Sequence, residues 1–354
     1  MNSRKLQVVK IQGEARERGR QYGARVAPSI RQNVQDYLRL LAFHSRLGRA
    51  SALRAAEAFG PAVETHAPEL WQEMQGIAEG AGCDLTEVLL INARSELMLA
   101  ASECTALAVA PEAASQGQAL LGQNWDWYTA VEAEPILLHI HQPDGLEILT
   151  LTEAGQLGKI GLNNAGLGVG LNFLKHADEG MGLPVHIILR QMLSCEALGD
   201  AIQAALSVPR GGAANIPLAH AEGEILDLEL TATDADFVYG DAGWLVHANH
   251  FESMRLRPQD TGIRTSRSTV ARAARARRLL AAARDGISWD TMRTILTDHA
   301  HGAYAICRHA ERSEPHLQRT ATRASVIMDL AARTLYLTLG QPCAREYETF
   351  TLQG

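Results

Sequence analysis

A lone cysteine, Cys104, joins a helical-looking stretch to a strand-like one in LMLAASECTALAVA. About twenty residues later comes a polar-aromatic cluster, Gln123-Asn124-Trp125-Asp126-Trp127. A cysteine attacks as its thiolate, and free cysteine titrates near pH 8.5, so it needs a base. One available base is the residue's own α-amine, with a pKa of about 7.7–8.0. That amine exists only if the Glu103–Cys104 bond is cut and Cys104 becomes a new N-terminus. This is the N-terminal form of the nucleophile–base pair. A lone cysteine is more commonly a buried apolar residue, so the chemistry depends on what surrounds it.

Other chemistries find less support in the spacing. His139-x-His141 and His299-x-His301 have period two, and His247 and His250 lie three apart. None belongs to a HExxH motif or to a Cys/His quartet with metal-ligand spacing. They read as histidines of strand edges and loops, and no metal or cofactor is expected. Gly166-Leu167-Gly168-Val169-Gly170 departs from GxGxxG and sits within strand–turn–strand sequence, which suits close strand packing better than a dinucleotide. The GxSxG elbow of serine hydrolases is absent from the sequence.

The elements that must hold Cys104 change character at that residue. Before it, the chain reads as mostly helical. Val34, Tyr37, Leu38 and Leu41 fall at i, i+3, i+4 and i+7 of a helix over 29–47. Further helices are predicted over 50–59, 68–81 and 85–100, the last capped by Asp84 with Glu87 three residues on. After it come short apolar runs broken by Gly, Asn, Pro and Asp, such as PILLHIHQ, LEILTLTEAG and GEILDLELTATDADFVYG, which read as strands. Helices return over 184–194, 198–205, 267–284 and 289–298, and RASVIMDLAARTLYLTLG reads as two strands around Leu330-Ala331-Ala332. Blocks of strands and blocks of helices imply an α+β fold. The arginines at 272, 275, 277, 278 and 284 read as a solvated helix face.

Composition limits the partners. The 354 residues are 46% hydrophobic and 21% charged, with net charge −7, which points away from nucleic acid and anionic membrane. The opening MNSRKLQVVKIQGEARERG is too charged for a secretory signal, and no run reaches about 18 apolar residues. Five scattered cysteines without a CxxC argue against a disulfide framework, so a cytoplasmic protein is expected.

Read together, several stretches carry a resemblance. Cys104-Thr105 with Gly122-Gln123-Asn124-Trp125-Asp126 is similar to the penicillin acyltransferases, the acyl-CoA:6-aminopenicillanic acid (isopenicillin N) acyltransferase family. Further matching stretches are LTEAG, GKIGLNNAGLGVGLN, GLPVHIILR, LVHANHF, AICR, RTATRASVIMD and LGQP, with ERGRQYGA and INARSEL ahead of the cysteine. The resemblance covers nearly the whole chain, in order. It implies a single N-terminal nucleophile hydrolase domain over 1–354, folded as a four-layer αββα sandwich. It also implies a precursor that cuts itself into an α chain, 1–103, and a β chain, 104–354. Carried over by motif, Cys104 is the nucleophile and Asn249 the oxyanion donor. Asp126 and Arg319 form the polar pair around the new N-terminus, with Asp126 holding the α-amine network and Arg319 orienting it.

Two departures stand out. Glu103 replaces the family's glycine at the cleavage site. Extra residues follow Cys104, and a longer Arg312–Gln318 loop precedes Arg319; both are expected to reshape the pocket rim. The expected substrate is a small N-acyl amide, with acyl-CoA or another acyl donor as a second partner, and a homo-oligomer is compatible with the sequence. Trp125 and Trp127 fit either an acyl pocket or the core. Two alternatives stay open: an uncut ligand-binding homologue, and an internal cysteine paired with His247 or His250.

Overall fold

The structure is a computed structural model and describes residues 6–98, 103–178, 180–240 and 242–353. Helix Pro68–Ala81 has the predicted limits, with Pro68 at its first turn and Gly82 closing it in the left-handed conformation. Helix Leu85–Asn92 starts on the expected capping box of Asp84 and Glu87. It breaks at Ala93 before the short turn Arg94–Leu97, and the remainder of the predicted 85–100 helix lies outside the described residues. The first helix is longer than predicted, Ala15–His44, with non-helical backbone at Val26 just ahead of Pro28. Proline lacks an N–H and crowds the preceding turn, so the amphipathic run continues across a kink.

Among the described residues, the strands form two sheets. The nine-stranded sheet runs Gln7–Gln12, Ile136–His141, Glu147–Thr152, Ile160–Asn163, Leu167–Val169, Ala214–His220, Ile225–Leu230, Ala235–Val238, with Asn172–Phe173 beside Ala214–His220. The six-stranded sheet runs Trp244–His247, Glu103–Val109, Leu120–Tyr128, Thr320–Asp329, Thr334–Leu339, Glu348–Thr351. The sheets face each other where Ala214–His220 packs on Glu103–Val109 and Leu120–Tyr128. Helices including Ala15–His44, Leu85–Asn92 and Val185–Leu193 lie on the nine-stranded side. Thr269–Ala281 and Trp289–Leu296 cover the six-stranded sheet. The fold is thus the expected α+β sandwich of four layers, αββα. Strands Glu103–Val109 and Leu120–Tyr128, covered on both faces, are buried at every position, so their sequences lack the polar alternation of a half-exposed strand.

The segment before Cys104 is not purely helical. Gln7–Gln12 pairs in parallel with Ile136–His141 and buries Val9 and Ile11. Helices Ala15–His44 and Pro68–Ala81 cross at four glycines. A methyl at Gly19 would lie 2.0 Å from the Glu73 carbonyl oxygen, and one at Gly76 would lie 2.1 Å from that of Arg16. Only hydrogen allows the two backbones so close. Beside the crossing, buried Glu73 accepts from Arg18 at 2.9 Å and from Arg190 at 3.0 Å, tying the N-terminal helices to Val185–Leu193. The change of character at Cys104 is therefore not a boundary between folding units. Glu103 is itself the first residue of the strand that carries Cys104.

Candidate active site

The site is built on one antiparallel pair. Glu103 faces Asp126, Cys104 faces Trp125, and Thr105 faces Asn124. Side chains alternate along a strand. Glu103, Thr105, Asn124 and Asp126 therefore point to the helical layer, whereas Cys104, Trp125 and Trp127 point between the sheets.

On the outer face, the Glu103 carboxylate accepts from Ser266 Oγ at 2.8 Å and Ser268 Oγ at 2.9 Å, and pairs closely with Arg272. Arg308 Nη2 lies 3.4 Å from the same carboxylate. Burial opposes the charge, yet Arg272, Arg308 and the two serines hold this carboxyl below its usual range. Arg272 also donates to the Cys104 carbonyl, to Thr105 Oγ1 at 2.7 Å and to Asn249 Oδ1 at 2.9 Å. Asp126 accepts from Thr322 Oγ1 at 2.7 Å, and its other oxygen lies 3.6 Å from Arg308 Nε. Burial pushes Asp126 up to about 6, against the pull of Arg308 and Arg272.

On the inner face, Lys159 Nζ sits 3.1 Å from the centre of the Trp125 ring, and the Arg94 guanidinium lies 4.1 Å from that of Trp127. Glu153 accepts from Arg94 Nε at 3.0 Å and from the Tyr37 hydroxyl, with Lys159 at 3.5 Å. Among the described residues Lys159 Nζ has no hydrogen-bond partner. Burial drives this lysine well below its usual range, with Glu153 opposing. Burial, then the Asp126 charge, pushes the Cys104 thiol up to about 11; Lys159, the Asp126 N–H and Arg272 act the other way. The arrangement is a thiol whose ionisation burial opposes, beside an amine whose own charge burial also opposes.

Asn249 approaches from the loop after strand Trp244–His247. Its Oδ1 accepts from the Cys104 backbone N–H at 2.7 Å, and its Nδ2 donates to the Phe173 carbonyl at 3.0 Å. With two donors on one side and a carbonyl on the other, the network fixes which way the amide points. An amide NH2 carries two protons, and Phe173 takes one.

The structure thus brings Glu103, Cys104, Asp126 and Asn249 together and leaves Arg319 out. The expected Asp126–Arg319 pair is not formed. Arg319 donates to the carbonyls of Glu314 at 2.7 Å and Arg312 at 2.8 Å, pinning the loop before it. Arg308 occupies the place expected for it. His247 and His250 are also engaged elsewhere: His247 with Glu229 at 2.7 Å and the Ala248 carbonyl, His250 with Thr269 and Glu252. A cavity of about 240 Å³ opens at the Glu103 end of the strands, among His44, Glu103, Tyr128, Tyr304, Arg308 and Thr320. Cys104 is buried and does not line it.

Arg272 overturns the reading of its helix as a solvated face. The buried residues of Thr269–Ala281 are Thr269, Arg272, Ala273, Ala276 and Leu280, so the arginine lies on the apolar stripe. A charge in the apolar phase of a helix is the signal that marks it. Arg308 was contained in the AICR motif, but its partners Glu103, Asp126, Ser268 and Thr320 come from four other segments.

The sequence model of a family described as acyl-coenzyme A:6-aminopenicillanic acid acyl-transferase matches residues 113–344. That stretch contains Asp126, Lys159, Asn249, Arg272 and Arg308 and begins just after Cys104. The chain is similar to the acyl-coenzyme A:6-aminopenicillanic-acid-acyltransferase 40 kDa form of Emericella nidulans. The two are 26% identical over 346 residues, covering 97% of this chain and 95% of that one. Among solved structures, a variant of the conjugated bile acid hydrolase from Clostridium perfringens aligns with a TM-score of 0.48 and 13% identity, covering 71% of this chain and 97% of that one. Penicillin V acylase from Agrobacterium tumefaciens aligns with a TM-score of 0.44 and 10% identity, covering 67% and 83%. Likenesses this distant say nothing of substrate. No helix among the described residues is long and apolar enough to cross a membrane.

Proposed function

Because this chain belongs to the acyl-coenzyme A:6-aminopenicillanic acid acyl-transferase family, we propose that it cuts its own Glu103–Cys104 bond and that the freed Cys104 then attacks the amide of a small N-acyl compound. The observation that carries this reading is the 2.7 Å hydrogen bond from the Cys104 backbone nitrogen to Asn249 Oδ1. The nitrogen that would become the catalytic amine is already held by the residue expected to stabilise the oxyanion. Its neighbours are fixed too, since Arg272 grips both the Glu103 carboxylate and the Cys104 carbonyl.

In the first stage Cys104 Sγ adds to the Glu103 carbonyl carbon and the Cys104 nitrogen leaves with a proton, which gives a thioester and a free α-amine. The α-amine is not available as a base for this step, and Lys159, on the thiol's side of the strand and with its proton affinity lowered by burial, takes the thiol proton. Water then hydrolyses the thioester, and Glu103 ends as a carboxylate. In the second stage the α-amine takes the thiol proton and Sγ attacks the substrate carbonyl. The free Nδ2–H of Asn249 stabilises the oxyanion, a contribution of about 3–4 kcal/mol. The leaving amine receives its proton from the Cys104 ammonium. Water resolves the acyl-enzyme in an amidase; a second amine resolves it in a transferase, with acyl-CoA or another donor loading the thiol. Hydrolysis is the simpler outcome, because it needs no second binding site. Asp126 and Arg308 act as positioning residues for the strand ends.

Denaturing mass measurement on the wild type beside Cys104→Ala tests the first stage. The wild type is expected to give fragments of roughly 11 and 27 kDa, the 38.4 kDa chain divided in proportion to residues 1–103 and 104–354. The variant is expected to stay whole. Full-length mass in both, with no acylation by a thiol-reactive ester, would instead indicate an uncut ligand-binding protein.

A further inference from the structure

Arg308, which faces Glu103 and Asp126, lies between Cys307 and His309. Those two side chains meet His299, from the loop after helix Trp289–Leu296, and Cys343, from the loop after strand Thr334–Leu339. Their four donor atoms all lie within 4.8 Å of one another. His309 Nε2 is 3.1 Å from His299 Nε2, 3.4 Å from Cys343 Sγ and 3.8 Å from Cys307 Sγ.

Hydrogen bonding does not account for this convergence. A single imidazole nitrogen offers one donor or one acceptor site, yet three polar atoms from three segments crowd around His309 Nε2. A tetrahedral ion with ligands at about 2.0–2.3 Å would set them roughly 3.3–3.8 Å apart, close to the 3.1, 3.4 and 3.8 Å that separate His309 Nε2 from the other three. We propose that His299, Cys307, His309 and Cys343 bind one zinc ion. Two thiolates with two imidazoles in a compact quartet suit Zn²⁺ best among the common divalent metals. Binding displaces one proton from each thiol, so the Zn(Cys)2(His)2 unit is uncharged. Four protein ligands leave no open position, and the ion would be structural.

The surroundings give it a task. The Cys307 N–H donates to the Asp298 carbonyl at 2.9 Å, while the Asp298 carboxylate holds Arg275 at 2.6 Å and the Ala300 N–H at 2.9 Å. Such outer contacts orient a ligand loop. The Arg308 N–H donates to Thr322 Oγ1 at 2.9 Å. Zinc on the residues to either side would fix the arginine that reaches Glu103 and Asp126, closing a strandless stretch of chain over the rim of the site. The quartet is independent of whether the chain is cut.

The test uses the full chain without a histidine tag. Metal analysis of protein grown with zinc is expected to give one zinc per chain, reduced to background by the pair Cys307→Ser and Cys343→Ser. Because those variants could fail to fold, chelator-stripped wild type is also titrated with Co²⁺. One equivalent is expected to produce a thiolate-to-cobalt charge-transfer band that one equivalent of Zn²⁺ abolishes. Cobalt uptake without that band, no uptake, or a mass two hydrogens low from a Cys307–Cys343 disulfide in place of metal would each overturn the proposal.

Discussion

The two faces of strand Glu103–Val109 are both lined with buried charge, and they are finished differently. On the outer face each Glu103 oxygen has a hydrogen-bond donor, and the cations are arginines. Arginine stays charged under all ordinary conditions, so this face fixes the backbone on either side of the Glu103–Cys104 bond. On the inner face Glu153 is matched by Arg94 and Tyr37, and a lysine is left over, without a hydrogen-bond partner and with its proton affinity lowered by burial. One face holds a peptide still; the other keeps a group that can take up a proton beside the thiol. The strand separates these tasks because successive side chains cannot share a face.

The comparison is tested hardest at Asn249, whose Oδ1 is shared by the Cys104 N–H and the outer-face Arg272. Asn249→Ala is expected to lower turnover by about 10²–10³-fold with little change in KM, measured on the processed enzyme. Next comes Arg272→Met, which strands a buried carboxylate. A loss of about 3–5 kcal/mol is expected in denaturant unfolding, and adding Glu103→Met should recover most of it. If the double variant is no better than the single, the outer face is not an ion-pair clamp.

Lys159→Met should behave in the opposite way. It replaces a buried amine that makes no hydrogen bond among the described residues and has Glu153, 3.5 Å away, as its opposite charge, so Tm is expected to hold or rise while the self-cut slows. A loss of stability as large as that of Arg272→Met would erase the distinction between the faces. The pair His247–Glu229 provides a titrating standard nearby. Burial opposes the charge, but Glu229 and Asp227 push His247 up to about 9, above its usual 6.5. The folded protein then binds this proton more tightly than the unfolded chain, so the stabilisation is complete below about pH 6.5 and lost as pH rises through about 9. His247→Gln should flatten that decline in Tm. The smallest effect is expected from Arg319→Gln, within about 0.5 kcal/mol of wild type and with the self-cut intact, since the Arg319 guanidinium donates to the loop carbonyls of Glu314 and Arg312.

What was legible in the sequence followed from local signals. The capping box at Asp84 and the periodic run of Ala15–His44 are written within single helices, and the α+β layering follows from their order. The motifs picked out Cys104 and Asn249, and the structure joins them by a hydrogen bond although 145 residues separate them. The misses were pairings whose partner lies far away. Gln7–Gln12 is a short half-exposed strand whose stabilising neighbour is Ile136–His141. Arg308 and Arg319 are arginines 11 positions apart at either end of one loop, and only the path of that loop selects between them. The quartet around His309 has no repeated spacing, because its ligands come from three loops. His299 was paired in the sequence with His301, whose left-handed backbone, φ 78°, belongs to a turn outside the quartet.

The parallel ladder between Gln7–Gln12 and Ile136–His141 has a practical consequence. Hydrolysis at residue 103 would remove a covalent link without removing an interface, because the edge strand and the Glu73–Arg190 ion pair still fasten the two pieces. The nicked molecule would elute from a sizing column as an intact one does. It should also melt in a single transition, and its fragments should part only in denaturant. Their reassociation would then be second order in concentration, so refolding of the nicked protein should slow on dilution while that of Cys104→Ala does not.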